Sequence, residues 1–181
     1  MRRSSEHTKT LILSAARERF GKAGYDRATI RAIAGDAGID PSMVMRYFGS
    51  KEELFAAAAR FDLELPDLSA VADDDVGRRL VAHFVERWER DEALVVLLRA
   101  AATNAVAGRK MADIFTTQLL PAVVAIGADD PSRRAGLIAT QMLGLALCRY
   151  ILALPPVADM SCEEIEYWLG PTVQRYLTDP Q

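Results

Sequence analysis

Four side chains in one short stretch, Ser42, Met45, Arg46 and Tyr47, offer a hydroxyl, a thioether, a guanidinium and a phenol. Val44 and Phe48, interleaved with them, are apolar and four residues apart. On a helix that spacing puts both on one face, so they and part of Met43 turn toward the protein. The other four then face solvent or a partner. Groups of this kind recognise by hydrogen bonds and contact rather than by covalent chemistry. Elsewhere no nucleophile–base pair, metal-ligand spacing or glycine-rich phosphate loop stands out, which argues against an enzyme. Cys148 and Cys162 have no CxxC spacing, and His7 and His83 lie far apart. Neither a metal nor a cofactor is expected, and the cysteines read as ordinary thiols, with a redox pair as the alternative.

The elements that must position these groups read as helices almost throughout. The first runs from about Thr8 to Ala23, carrying Leu11, Ile12, Ala15, Ala16 and Phe20 at helical spacing, and Gly24 follows as a stop. A short helix starts at Thr29, a plausible N-cap, and buries Ile30, Ile33, Ala34 and Ala37. Gly38-Ile39-Asp40 makes a tight turn, with Gly38 suited to a left-handed backbone and Ile39 to a wedge between helices. Asp40 caps the next helix and Pro41 fits its first position. That helix ends at Gly49, and Ser50 with Glu53 reads as a capping box opening a fourth helix. Two short helices, Thr29–Ala37 and Pro41–Phe48, joined so tightly have a helix-turn-helix layout, whose second helix enters the DNA major groove.

Leu65-Pro66-Asp67 interrupts the pattern, dividing the chain into residues 1–62 and 63–181. Beyond it helices are expected at about 74–89, 91–106, 108–127, 131–153 and 161–178, with Pro155-Pro156 ending the fourth of these and a Ser161–Glu164 capping box opening the last. The expected fold class is all-α, with about nine helices. Residues 1–60 carry 11 Lys/Arg and 7 Asp/Glu, and the rest carry 11 and 18. A basic head on an acidic body suits a phosphate-binding module attached to a domain with another task. No apolar run reaches the roughly 18 residues that span a bilayer, so no membrane partner is expected. The N-terminus lacks a signal-peptide core, and a cytoplasmic protein is expected.

Three segments together resemble the tetracycline-repressor (TetR) family. They are Gly24-Tyr25-Asp26-Arg27-Ala28-Thr29-Ile30-Arg31-Ala32-Ile33-Ala34, then Ala37-Gly38-Ile39, then Tyr47-Phe48-Gly49-Ser50-Lys51-Glu52-Glu53-Leu54-Phe55. The resemblance runs from about Thr8 to Phe61 without a gap. It implies an N-terminal three-helix DNA-binding domain followed by a helical domain for effector binding and dimerisation. It also implies that Thr29, Tyr47 and Lys51 bind backbone phosphates, while Ser42, Met43, Met45 and Arg46 read base edges. Arg31 stands between a phosphate contact and a surface charge. Phosphate contacts fix register and bring salt-sensitive affinity, and Arg46 is able to donate two bonds to a guanine. Arg2 and Arg3 would form an arm toward the minor groove. Where the family often has a tyrosine, this chain has Met45, which either meets a thymine methyl or packs.

The implied partners are double-stranded DNA with a palindromic operator, a second copy of the chain, and a small apolar effector. Small and apolar residues on the last two long helices (Ala135, Ile138, Ala139, Met142, Leu143, Ala146 and Leu147; Ile165, Trp168, Leu169, Val173, Tyr176 and Leu177) are expected at the dimer face. Phe84, Trp88, Leu97, Met111, Phe115 and Met142 are candidates to line an effector pocket, with Asn104, Thr103 or Gln118 as its polar groups. The expected function is a homodimeric repressor released by a small ligand. The alternative is a DNA-binding regulator that senses no ligand or senses oxidation through its cysteines.

Overall fold

The computed structural model describes residues 5–68, 74–91 and 93–180, and among these every regular element is helical. In chain order they are α1 Ser5–Arg27, α2 Ile30–Ala37, α3 Pro41–Phe48, α4 Lys51–Ala58, α5 Val76–Arg90, α6 Ala93–Ala101, α7 Ala105–Ile114, α8 Leu120–Ala125, α9 Pro131–Ala146, α10 Pro155–Ala158 and α11 Cys162–Thr178. Wide π turns follow α7 at Phe115–Leu119 and α9 at Leu147–Ile151. The all-α expectation holds. By proximity the chain forms two compact units, one from the chain up to Phe61 with Glu92–Met111, the other from Asp62–Asp91 with Ala112 onward. The division falls inside α7.

Several boundaries differ from the sequence expectation, each for a local reason. Gly24 breaks the helical backbone (φ 77°, ψ 166°), yet another turn follows it, so α1 reaches Arg27. The helix expected over about 91–106 divides because the Asn104 side chain accepts hydrogen bonds from the N–H groups of Val106 and Ala107, starting α7 afresh. Pro121 has no N–H and its ring presses on the carbonyl four residues back, and the wide turn just before α8 relieves that conflict. Pro155 and Pro156 do not merely end a helix; they open the short α10.

In the first unit Ile12, Ala16, Phe20, Ile33, Ala34, Val44, Leu54 and Phe55 are buried. Phe20 and Phe55 meet edge to face at 5.0 Å, and Tyr25 lies 5.9 Å from Phe20 and 5.0 Å from Phe55. This core holds α1, α2 and α4 together behind α3. Arg17 donates to the Ala58 carbonyl at 3.0 Å, and Arg19 pairs with Asp36, bracing α1 against the end of α4 and against α2.

The second unit is centred on α5 crossing α11. The two backbones approach so closely that a Cβ on Gly77 would lie 2.6 Å from the Gly170 carbonyl oxygen. The Gly77 N–H donates to the Gln174 side chain at 2.7 Å. Buried Arg134 ties the start of α9 to the end of α11 by donating to the carbonyls of Tyr176 (2.7 Å) and Asp179 (2.6 Å). The apolar stripes expected at a subunit face are largely core here. Ala135, Ile138, Met142, Ala146, Ile165, Val173 and Leu177 are buried within the chain. The large apolar residues left outward on these helices and the π turn are Leu137, Leu147, Tyr167 and Trp168. Small residues allow close approach inside one chain as readily as between two, which is why the pattern did not tell the two apart.

Candidate nucleic-acid interface

The first unit builds an outward face on α3 from the turn upward. Gly38 takes the left-handed conformation (φ 62°, ψ 40°). Its N–H donates to the Gly35 carbonyl at 3.1 Å, and that of Ile39 to the Ala34 carbonyl at 2.9 Å. These crossed bonds close α2 in a Schellman turn. Ile39 itself is half-buried, less deeply wedged than expected. Asp40 then restarts the chain by accepting from the Ser42 N–H at 2.8 Å. Two bonds from Ser42, the hydroxyl's first and the backbone's second, hold the Asp40 carboxyl below its ordinary value.

Val44 and Phe48 face inward, buried against the unit's core. Met45, at 44% exposure, and Arg46 face outward, and Met43 and Tyr47 are half-buried at the edges. Ser42 is exposed, but its hydroxyl donates to Asp40 at 2.5 Å and so serves the cap. The side chains left outward and uncommitted to the cap are therefore Met45 and Arg46, and the Arg46 guanidinium lies 5.9 Å from the centre of the Tyr47 ring.

Around that face stand the expected phosphate-binding residues. Thr29 caps α2, accepting from the Ala32 N–H at 3.1 Å, and is exposed with the unpaired N–H groups of the helix start beside it. Arg31, two residues on, is also exposed. The Tyr47 phenol donates to the Ser5 hydroxyl at 3.2 Å. The Lys51 ammonium sits 4.4 Å above the Tyr25 ring and donates to the Asp26 carbonyl at 3.2 Å. Ser50 accepts from the Glu53 N–H at 3.0 Å, but the Glu53 carboxylate leans over Gly49, so only half of the expected capping box forms at α4.

Tyr25 was not singled out for a role by its spacing, yet it supports Lys51. Burial first, and then its hydrogen bond to Glu52, push the Tyr25 phenol up to about 12. Arg2 and Arg3, the expected minor-groove arm, lie outside the described residues.

The expected effector residues divide between the units. Phe84, Trp88 and Met142 are buried in the second, with Phe115 half-buried; Gln118 there accepts from the Leu63 N–H at 2.7 Å. Leu97 is buried in the first, Met111 is half-buried, Thr103 is exposed, and Asn104 is the α7 cap. A groove of about 1130 Å³ along α5 and α11 is lined by none of them; its walls combine the acids Asp74, Asp75, Glu163 and Glu166 with Tyr167, Trp168 and Pro171.

Residues 12–58 match the profile of bacterial regulatory proteins of the tetR family, and residues 74–177 that of the tetracyclin repressor-like C-terminal domain. The chain belongs to the TetR family. Proteins of the TetR family are DNA-binding transcriptional regulators, not enzymes. The HTH-type transcriptional regulator UidR of Escherichia coli K12 is 38% identical over 64 residues, 35% of this chain and 33% of its own length. The HTH-type transcriptional repressor AcnR of Corynebacterium glutamicum is 41% identical over 51 residues, 28% of this chain and 27% of its own. These matches span about a third of the curated relatives or less.

Solved TetR structures extend the likeness along the whole chain. A TetR-family regulator from Streptomyces coelicolor A3 superposes with a TM-score of 0.62 at 29% identity, covering 98% of each chain. A TetR-like regulator from Rhodococcus sp. RHA1 reaches 0.71 at 21% identity over 99% of this chain and 100% of its own, a likeness of fold alone. No described helix is long and apolar enough to cross a membrane.

Proposed function

We propose that the protein is a homodimeric, cytoplasmic repressor that reads a palindromic operator with α3 and leaves it when a small, mostly apolar molecule binds. The observation that carries this reading is the α3 face, where Met45 and Arg46 stand outward opposite buried Val44 and Phe48, in the same unit as the exposed cap Thr29 and the hydrogen-bonded Tyr47 and Lys51. Base contacts fall to the first pair and phosphate contacts to the other three. A short reading helix covers one half-site, and a twofold pair of copies covers a palindrome. Leu137, Leu147, Tyr167 and Trp168, at 41%, 39%, 70% and 68% exposure, support a second copy seated on α9 and α11.

Ligand release requires that the effector favour a conformer whose two reading helices no longer match the groove spacing. The redox alternative draws no support from Cys162. Burial first and then Glu89 push the Cys162 thiol up, keeping it protonated and poorly reactive. A mobility-shift titration on the DNA upstream of the protein's own gene tests the reading. The expected result is saturable binding that falls steeply between low and physiological salt. Failure to enrich any site in a genome-wide selection would falsify it.

A further inference from the structure

Two described side chains bury a donor that has no acceptor, the indole Nε1–H of Trp88 and the phenol O–H of Tyr150. They belong to one contact. The two rings meet edge to face with centroids 6.1 Å apart, and the Phe84 ring centre lies 5.8 Å from that of Trp88. Trp88 is 3% exposed, so bulk water does not reach its N–H. The indole N–H only donates, and the phenol O–H needs an acceptor too. Arg149 lies 5.6 Å from the Tyr150 ring centre and, as a donor, can meet only the phenol oxygen, so the phenol O–H still lacks an acceptor. Its own N–H groups go to the carbonyls of Val157 (3.0 Å), Ala158 (3.1 Å) and Met160 (2.7 Å) and to Glu89 (3.4 Å).

Native cores seldom leave one buried donor unmet, and here two stand side by side. Tyr150 also sits in the π turn after α9, a local widening that recurs at functional sites. We infer that Trp88 and Tyr150 form the polar end of the effector site, and that the effector is an uncharged, largely apolar molecule bearing a carbonyl or similar oxygen acceptor. This rests on the ligand-released reading above and narrows it. The acceptor follows from the two unmet donors, and the apolar body from Phe84 and the indole and phenol faces. The lack of charge follows from Arg149, whose cation is already matched by Glu89. A carboxylate placed there would find no spare cation and a neighbouring acid.

The test uses a series of methyl ketones of increasing chain length, with the alkane and the fatty acid of each length as controls. The readout is the NMR signal of the Trp88 indole proton, told from that of Trp168 by a Trp88→Phe variant. A ketone is expected to move the Trp88 proton downfield, whereas the alkane leaves it in place and the fatty acid does not bind. Tyr150→Phe is expected to weaken ketone binding about three- to tenfold, the range of one hydrogen bond, and to leave alkane binding unchanged. A Trp88 proton already in the hydrogen-bonded range without ligand overturns the proposal, because a buried water then satisfies it. So does a proton that no ketone moves, or equal ketone affinity with and without the Tyr150 hydroxyl. Operator DNA separates the two layers of the argument. If a small molecule frees the DNA while the Trp88 proton stays put, this site falls and ligand release stands. If the ketone moves the proton and the DNA complex is unaffected, the site stands and release falls.

Discussion

Lys51 enters any DNA contact with its ammonium already steadied by the Tyr25 ring and the Asp26 carbonyl, which lowers the side-chain entropy still to be lost. Lys51→Ala is therefore expected to weaken binding to all duplexes about equally and to reduce the slope of log affinity against log salt by about one. For Met45 a different effect is expected under the proposed reading, because an exposed thioether offers an apolar surface that suits a thymine methyl. Replacing operator thymines with uracil one at a time should find a position that weakens the native protein and leaves Met45→Ala indifferent. If the native protein tolerates every such replacement, Met45 reads no methyl group. The outward set on α3 was legible because Val44 and Phe48 fix the inward side by period alone. The Ser42 hydroxyl turns back two residues to Asp40, a local competition that spacing does not reveal. The bond from Tyr47 to Ser5 joins residues too distant in sequence for any pattern to foretell.

Between α5 and α11 the packing leaves no room for a methyl group at Gly77. Gly77→Ala is expected to cost about 1–3 kcal/mol or more, read as a lower urea midpoint, because the new carbon meets the backbone of α11 rather than a side chain able to move. An unchanged midpoint would mean that the two helices part without penalty. Caps and starts were the legible part of the helices: Thr29, Asp40 and Ser161 stand as N-caps where the sequence put them. Ser161 and Glu164 complete both halves of their capping box, at 3.2 Å and 2.8 Å. The π turns were not legible, since they change the hydrogen-bond register without changing the apolar period enough to notice. Nor did the period of α9 distinguish core from subunit face, because Ile138 and Met142 are buried while Leu137 is exposed one residue away. The dimer proposal rests on the exposed set, so Leu137→Glu combined with Leu147→Glu is expected to give monomers in sedimentation and to abolish tight binding to a palindrome. A double variant that remains dimeric would move the interface elsewhere.

Over the whole molecule, titration sets the limits of stability. Asp36, held down by the Arg19 hydrogen bond, Asp40, held down by Ser42, and Glu164, held down by the Ser161 N–H, all ionise more readily folded than unfolded. Their contribution is complete above the ordinary carboxylate range and is lost as pH falls through their lowered folded values. Tyr25 works the other way: with its phenol pushed up to about 12, its contribution is complete below the ordinary tyrosine value and fades as pH rises toward the folded one. Urea midpoints measured across pH should show a plateau from about 5 to 9 with a fall on each side. A stability that kept rising below that plateau would contradict these pairings. The turn beneath α3 has a consequence of a different kind. It is locked by the Gly38 and Ile39 amides, by Asp40, and by the inward Val44 and Phe48, and none of these depends on Met45 or Arg46. The letters of the recognition face are thus decoupled from the fold that displays them. A library randomised at those two positions should stay folded almost throughout, which lets target preference drift, in evolution or in the laboratory, while the scaffold stays as it is.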